Sequence, residues 1–349
     1  LVDHSFFTRV IAWQQVSGRK GLPWQATHDP YRIWLSEIML QQTQVSTVID
    51  YYQRFLASFP DVKSLADAST EAVLAHWSGL GYYARARNLH KAARMVMEEF
   101  AGQFPGAPEA LVRLPGIGRS TANAIAAFAF GVPAPILDGN VKRVLMRHLG
   151  IEAPPTGAAL EQRLWAVVHD RVPADATHAQ MIAYTQGMMD LGNMVCARSK
   201  PACQLCPVAS DCEALHRGLQ NVIPLPKPKK TVPERETVMA VWQHDGQLAL
   251  QKRPDTGIWG GLWSFPEYPA VDDVPGGKGQ LLPAFMHVFT HFKLHITPLL
   301  MQGPNIPQDL SLQWFPLADA LALGLPQPIR RIIETIAASQ QEYRLQSRT

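Results

Sequence analysis

The sequence predicts a multidomain chain: an all-α domain followed by a smaller α+β domain. Three observations carry this. Apolar residues recur at helical spacing from Phe6 to about Leu191. Asn221 to Pro233 reads Asn-Val-Ile-Pro-Leu-Pro-Lys-Pro-Lys-Lys-Thr-Val-Pro, a stiff basic linker. Beyond it the pattern changes to short alternating runs, Val238–Trp242 and Leu248–Arg253, with Asp245-Gly246 as a hairpin turn between them. The expected boundaries are 1–220, 221–233 and 234–349.

The chain of 349 residues is long enough for two cores, and 47% hydrophobic with 17% charged residues is a globular balance. No apolar run is long enough to span a membrane. Asp3 and His4 precede a helical stretch without a signal-peptide pattern, so the expected location is cytoplasmic. A net charge of +3 says little about nucleic acid. Basic residues gather locally at Arg85, Arg87, His90, Lys91 and Arg94, and at Lys142, Arg143 and Arg147. Such runs are solvated helix faces or phosphate contacts.

Taken in order, Phe6, Val10, Trp13 and Val16 mark a first helix over 5–16, and Leu22-Pro23-Trp24 a loop. From about Pro30 one long helix is expected through Trp34, Ile38, Gln41, Val45 and Val48. Within it Glu37 stands among Trp34, Leu35, Ile38, Met39 and Leu40. It is either an exposed helical glutamate or a carboxyl in partly dry surroundings. The second environment raises a carboxyl pKa and suits a general acid. Gln41, Gln42, Thr43 and Gln44 form an uncharged strip, either solvent-facing or able to wedge into a duplex and read a base edge. Gly79-Leu80-Gly81-Tyr82-Tyr83 is a glycine turn opening a basic helix with Arg85 and Arg87. Tyr82 there is a core aromatic or one that inserts between bases.

Leu111 to Gly150 is the stretch around which the chain is organised. Pro115 stops one helix, and Gly116 and Gly118 let the backbone turn through positive φ and clear its surface. A helix from about Arg119 carries Ala122, Ile125, Ala126, Ala129 and Phe130, and Gly131 and Pro133 end it. This is an ordinary helical corner or a phosphate-binding helix N-terminus. Asp138 is an N-cap by type for a helix through Val141, Val144 and Leu145. It is only a cap, or a carboxylate held at fixed depth with Lys142, Arg143 and Arg147 near phosphates. Helices continue from Leu160 to about Leu191. The four cysteines, Cys196, Cys203, Cys206 and Cys212, are spaced C-x6-C-x2-C-x5-C. Clustering favours a metal over disulfides, and one short pair with long outer gaps favours a [4Fe–4S] cluster, with zinc open as the alternative. After the linker come a glycine-aromatic loop, Gly257–Pro266, and a closing helix over 327–339. In His287–Phe292, alternation puts Phe289 and His291 on one strand face and Thr290 on the other unless a turn intervenes.

These motifs carry a resemblance. Leu114–Ala122, with Leu137-Asp138-Gly139-Asn140-Val141, resembles the helix–hairpin–helix DNA glycosylases. Glu37–Gln44 resembles their adenine-specific, MutY-type branch, and the cysteine spacing is similar to that of the iron–sulfur members. The C-terminal part resembles a Nudix-like domain. It lacks the acidic helix after Phe265-Pro266-Glu267, so it cannot hold Mg²⁺ for pyrophosphate hydrolysis and is expected to be a recognition domain.

The resemblance implies a monomeric hydrolase that removes adenine paired with 8-oxoguanine or guanine in double-stranded DNA. It implies catalytic roles for Glu37 as acid, Asp138 as ionised stabiliser of the sugar and Asn140 as an orienting group. DNA contacts are implied for Gln41, Gln42, Thr43, Tyr82, Arg85, Arg87, Gly116, Gly118, Ser120, Lys142 and, in the pocket, Gln186. Lesion recognition falls to Phe289, Thr290 and His291, the [4Fe–4S] cluster to the four cysteines, and backbone contacts to Arg198 and Lys200. Ser120 stands where strand-cutting relatives carry a lysine nucleophile, so base removal by water with weak or no strand cleavage is expected. Asn123, where the MutY type has a small residue, is similar to the strand-cutting relatives. The alternatives are a strand-cutting pyrimidine glycosylase like endonuclease III and a non-catalytic, metal-stabilised DNA-binding module.

Overall fold

The computed structural model describes residues 5–228, 231–308 and 310–346. Asp3 and His4, and Lys229 and Lys230 of the linker, lie outside the described residues. The chain divides into two compact units. One takes Leu1–Asp67 and Lys91–Lys229; the other takes Ala68–His90 with Lys230–Thr349. The second unit thus includes a short piece of the helical region as well as the residues that follow the linker.

In chain order the helices are α1 (Ser5–Ser17), α2 (Pro30–Leu40), α3 (Val45–Ser58), α4 (Val62–Asp67), α5 (Thr70–Trp77), α6 (Ala84–Glu99), α7 (Pro108–Leu111), α8 (Arg119–Phe130), α9 (Gly139–His148), α10 (Ala158–Arg171), α11 (His178–Asp190) and α12 (Glu213–His216). The helix expected to run unbroken past Gln41 is two helices. In α2 nearly every side chain from Ile33 to Met39 is buried, whereas α3 buries only the stripe Val48, Tyr52 and Phe55. A straight rod cannot lie inside the core at one end and on its surface at the other. Gln42 makes the bend at φ 58, and the Thr43 N–H closes it on the Leu40 carbonyl at 3.3 Å. The Gln41–Gln44 strip is therefore an inter-helix turn and not a helix face.

A core of the first unit gathers α1, α9, α10 and α11 around Phe7, Val10, Val141, Leu145, Leu164 and Tyr184. The α1–α11 approach needs a glycine, since a Cβ on Gly187 would stand 2.8 Å from Val10 Cγ1. After α11 the backbone widens into a π-helical turn, Leu191–Val195, which delivers the chain to Cys196.

In the second unit the strands are β1 (Glu234–His244), β2 (Gln247–Lys252), β3 (Trp263–Ser264), β4 (Glu267–Tyr268), β5 (Gln280–Leu281), β6 (Phe285–Val288), β7 (Lys293–Gln302) and β8 (Leu312–Pro316), followed by helices α13 (Leu317–Ala322) and α14 (Gln327–Gln346). They form one mixed sheet with the path β3-β2-β1-β7-β5. β1 and β7 pair in parallel from Glu234↔Lys293 to Gln243↔Gln302, and β1 meets β2 antiparallel at Gln243↔Leu248. One face is covered by α14 through Ile329, Ile332, Ile333 and Ile336. The other buries Ala240, Trp242, Leu299 and Met301 with Val274. α14 extends past the expected end at 339, to Gln346. Between β4 and β5 the described residues hold only the short turn Val271–Asp273, with no helix to carry a row of carboxylates.

Candidate active site and DNA-facing elements

Glu37 lies one turn before the end of α2, in the wall of a cavity of about 270 Å³ that Arg19, Lys20, His28, Phe128 and Gln186 also line. Among the described residues its carboxyl has no protein hydrogen bond. Burial, and then the charge of Asp138, push its pKa up to about 8. Asp138 caps α9, its carboxylate accepting the Val141 N–H at 2.7 Å. Burial also raises its pKa, but the Val141 and Asn140 N–H groups and the charges of Arg143 and Lys142 pull the other way. Asp138 lies close enough for its charge to act on Glu37, and it is the one held by backbone N–H donors.

The segment that leads to Asp138 is fastened to α8 by two side chains. Ser120 Oγ accepts the Leu137 N–H at 3.1 Å, and Asn123 Nδ2 donates to the Pro135 carbonyl at 2.6 Å. Gln41 Nε2 reaches Thr121 Oγ1 at 3.4 Å, joining the α2 end to the same helix. Of the two turn glycines only Gly116 takes positive φ, 82°. Gly118 caps α8 at φ −85, and a Cβ there would meet nothing within 4 Å. Gly118 is thus not required by the turn itself; it leaves the first N–H groups of α8 uncovered, as an anion site needs.

Several residues expected on phosphates are used by the protein itself. Arg143 bonds Asn140 Oδ1 at 2.9 Å and the carbonyls of Gly192 and Cys196 at 2.6 and 2.9 Å. Asn140 therefore serves Arg143, and among the described residues its side chain makes no hydrogen bond to Glu37. Arg147 is buried and donates to the carbonyls of Ile223, Ala197 and Arg198. Lys142 pairs with Glu161 at 2.8 Å. Arg85 is buried and closes the glycine turn from within, donating to Leu80 and Gly81 carbonyls at 3.2 Å. Arg87 donates to the Gly260 carbonyl at 2.8 Å. The sequence shows where cations gather; the fold decides that these hold loops.

Gln186 does line the cavity, and its amide donates to Asp190 at 2.9 Å. Asp190, fully buried, also accepts the Arg19 backbone N–H at 2.8 Å and Arg19 Nε at 2.6 Å. Sequence reasoning missed both Arg19 and Asp190. The available signal was one acid closing the apolar run before Gly192.

Cys196, Cys203, Cys206 and Cys212 line one small cavity beside Val144 and Arg147, whose guanidinium also reaches Cys196 Sγ at 3.4 Å. Among the described residues no group of three or more His, Cys, Asp or Glu is drawn together as a single metal ion requires. Four thiols around one cavity are a donor set of the kind a metal centre takes.

The HhH-GPD superfamily base excision DNA repair model matches residues 35–170, and a NUDIX domain model matches 237–335. The adenine DNA glycosylase of Buchnera aphidicola subsp. Acyrthosiphon pisum is 36% identical, over 96% of this chain and 98% of its own. The chain belongs to the adenine DNA glycosylase family. The Mus musculus adenine DNA glycosylase is 34% identical, over 83% of this chain and 69% of its own. A thermostable thymine-DNA glycosylase structure is 26% identical with a TM-score of 0.54, covering 61% of this chain and 95% of its own. An endonuclease III–DNA complex, 20% identical with a TM-score of 0.50 over 63% of this chain and all of its own, shares the fold.

In the second unit, two elements of this adenine DNA glycosylase family member stand out toward solvent. Tyr82 sits at φ 47 on the glycine turn and is 49% exposed, while Tyr83 beside it is buried. Phe289–Phe292 is the loop of the β6–β7 hairpin, not a strand, since pairing ends at Val288↔Lys293 and the Phe289 N–H bonds the Phe292 carbonyl at 2.9 Å. Of the two readings left open for this segment, the turn is the one found. Phe289 stacks on Phe292 at 4.3 Å, and Thr290 and His291 are exposed at the tip with Oγ1 and Nδ1 3.4 Å apart.

Proposed function

We propose that this chain hydrolyses the N-glycosidic bond of adenine mispaired with 8-oxoguanine or guanine in double-stranded DNA, as a monomer and without cutting the strand. The observation that carries the reading is the Glu37–Asp138 pair: one carboxyl with a pKa of about 8 and, among the described residues, no protein hydrogen bond, the other held by backbone N–H groups. The flipped adenine enters the Glu37 cavity. Glu37 donates its proton to N7, so the base leaves as a neutral group. Asp138 faces the positive charge that develops on the sugar, and water completes the reaction. Gly116, Gly118 and the α8 N-terminus take a backbone phosphate, Tyr82 enters the duplex, and Phe289, Thr290 and His291 read the opposite base. Ser120, occupied with the Leu137 N–H, offers no amine for strand cleavage.

The four cysteines hold a [4Fe–4S] cluster in this reading. Bound there, the cluster would supply a structural centre that pins the loop carrying Arg198 and Lys200. Protein prepared anaerobically is expected to contain iron. Stoichiometric zinc without iron would refute this part. The function is tested with duplexes carrying A opposite 8-oxoguanine, incubated and then treated with alkali. Alkali-labile sites at the adenine are expected, and borohydride should trap little covalent complex. Cleavage at pyrimidines instead would favour the endonuclease III-like alternative. DNA binding with no base release would favour the non-catalytic module.

A further inference from the structure

Within the second unit, residues that follow the linker hold the segment that carries Tyr82 at several points. At its start, Glu71 accepts Trp263 Nε1 at 2.7 Å and pairs with Lys252 at 3.4 Å. Leu74 packs so closely on Gly324 that a Cβ there would stand 3.2 Å from Leu74 Cβ. Immediately before the turn, Ser78 Oγ donates to the Leu325 carbonyl at 3.2 Å and receives Arg330 Nη2 at 3.2 Å. Immediately after it, the Tyr83 hydroxyl accepts the Gly79 N–H at 3.2 Å and donates to the same Leu325 carbonyl at 2.5 Å. Between these anchors Gly79, Gly81 and Tyr82 stand at φ 100, 73 and 47. This is a conformation that L-residues adopt only when their surroundings hold them.

One turn into α6, Arg87 bonds the Gly260 carbonyl. Gly260 follows Trp259, itself held at φ 57, whose ring lies 5.4 Å from Phe289 and 5.8 Å from His287. Phe289 in turn stacks on Phe292 at the base of the loop that shows Thr290 and His291. A continuous chain of contacts thus runs from the glycine turn through Arg87, Gly260 and Trp259 to the hairpin tip.

We propose that Ser78 and Arg87 are positioning residues: they form a clasp by which the C-terminal domain sets the pose of Tyr82 and couples it to the 289–292 tip. The inference rests on the proposed roles of Tyr82 and of the tip. It adds that these two elements act as one device, and that the basic residue Arg87 serves this linkage and not a phosphate. Contacts made inside one folded unit carry such coupling only if they bias a shared pose, so the test must measure coupling and not activity alone.

The experiment uses full-length protein and single-turnover adenine release from A:8-oxoguanine and A:G duplexes, with thermal melting as a control on folding. Arg87→Ala should lower the ratio of the two rates by about fivefold, the low end of typical coupling between sites. Arg87→Lys should restore most of it, and Ser78→Ala should shift the ratio in the same direction. In a Tyr82→Ala background, Arg87→Ala should have no further effect, because the element it positions is gone. Equal loss on both mispairs, or full additivity with Tyr82→Ala, would overturn the clasp while leaving the wedge role of Tyr82 standing. If Tyr82→Ala is itself silent on both mispairs, the reading of the turn fails and the clasp with it. An independent readout is 2-aminopurine fluorescence beside the mispair. Arg87→Ala should shift it toward the Tyr82→Ala value, and a wild-type value would count against the proposal.

Discussion

Glu37 and Asp138 bear the same chemical group in neighbouring places, and the elements under them make them different. Glu37 projects from the last full turn of a buried helix, where backbone N–H groups are already paired and none is left to stabilise a carboxylate. Asp138 sits before the first turn of α9, where N–H groups are unpaired by geometry and two turn inward to it. Position along a helix thus gives two carboxyls that differ by one methylene different surroundings.

The largest effects should come from erasing that difference. Glu37→Gln and Asp138→Asn each keep size and remove a proton or a charge. Each should slow adenine release by about 10²–10⁴-fold, with mismatch binding near normal in a gel-shift titration. Retention within about tenfold of wild type would break the assignment.

The next effect concerns pH. Release needs protonated Glu37, so the free enzyme should lose activity as pH rises through about 8. The same shift predicts a stability cost. A carboxyl whose pKa is raised from 4.5 to about 8 on folding costs nothing below 4.5, and the cost grows from there to about 8. Glu37→Gln should therefore stabilise the protein on the order of 4 kcal/mol at pH 8, with the gain vanishing toward pH 4.5. Chemical denaturation at both pH values checks it. An equal change at both would mean that packing, not ionisation, is responsible.

Smaller effects separate the fastenings of the hairpin. Asn123→Ala leaves the Pro135 carbonyl without its donor and should cost about 1–3 kcal/mol of stability. Gly116→Ala, strained at positive φ, should cost ~1 kcal/mol, whereas Gly118→Ala should fold normally and weaken DNA binding. Equal melting temperatures for the two alanine variants would contradict the φ argument.

The domain order, the hairpin, the Asp138 cap and the change from helix to sheet were legible in the sequence, because each depends on local pattern: proline and glycine positions, an Asp before an apolar helix, alternation after the linker. The destinations of long side chains were not. Arg143 and Arg147 look like phosphate ligands in a basic run, yet carbonyls brought near by the π turn and the cysteine loop claim them. The break at Gln42 was hidden because apolar spacing continues across it while the two helices lie in different environments. At 289–292 the sequence left strand and turn both open, because aromatic residues favour strands and no glycine or proline marks the turn. Asp190 and Arg19 meet only in the folded chain, and Ala68–His90 joins the second unit through contacts with residues far along the sequence.

The central claim is that Glu37 is the protonated partner of the pair at neutral pH. Titration of the Glu37 carboxyl, followed by ¹³C NMR in selectively labelled protein and in Asp138→Asn, tests it most directly. The account predicts a transition near 8 in the wild type, and a lower one in Asp138→Asn, where the neighbouring charge is gone. A Glu37 transition near the ordinary 4.5 in both proteins would contradict it.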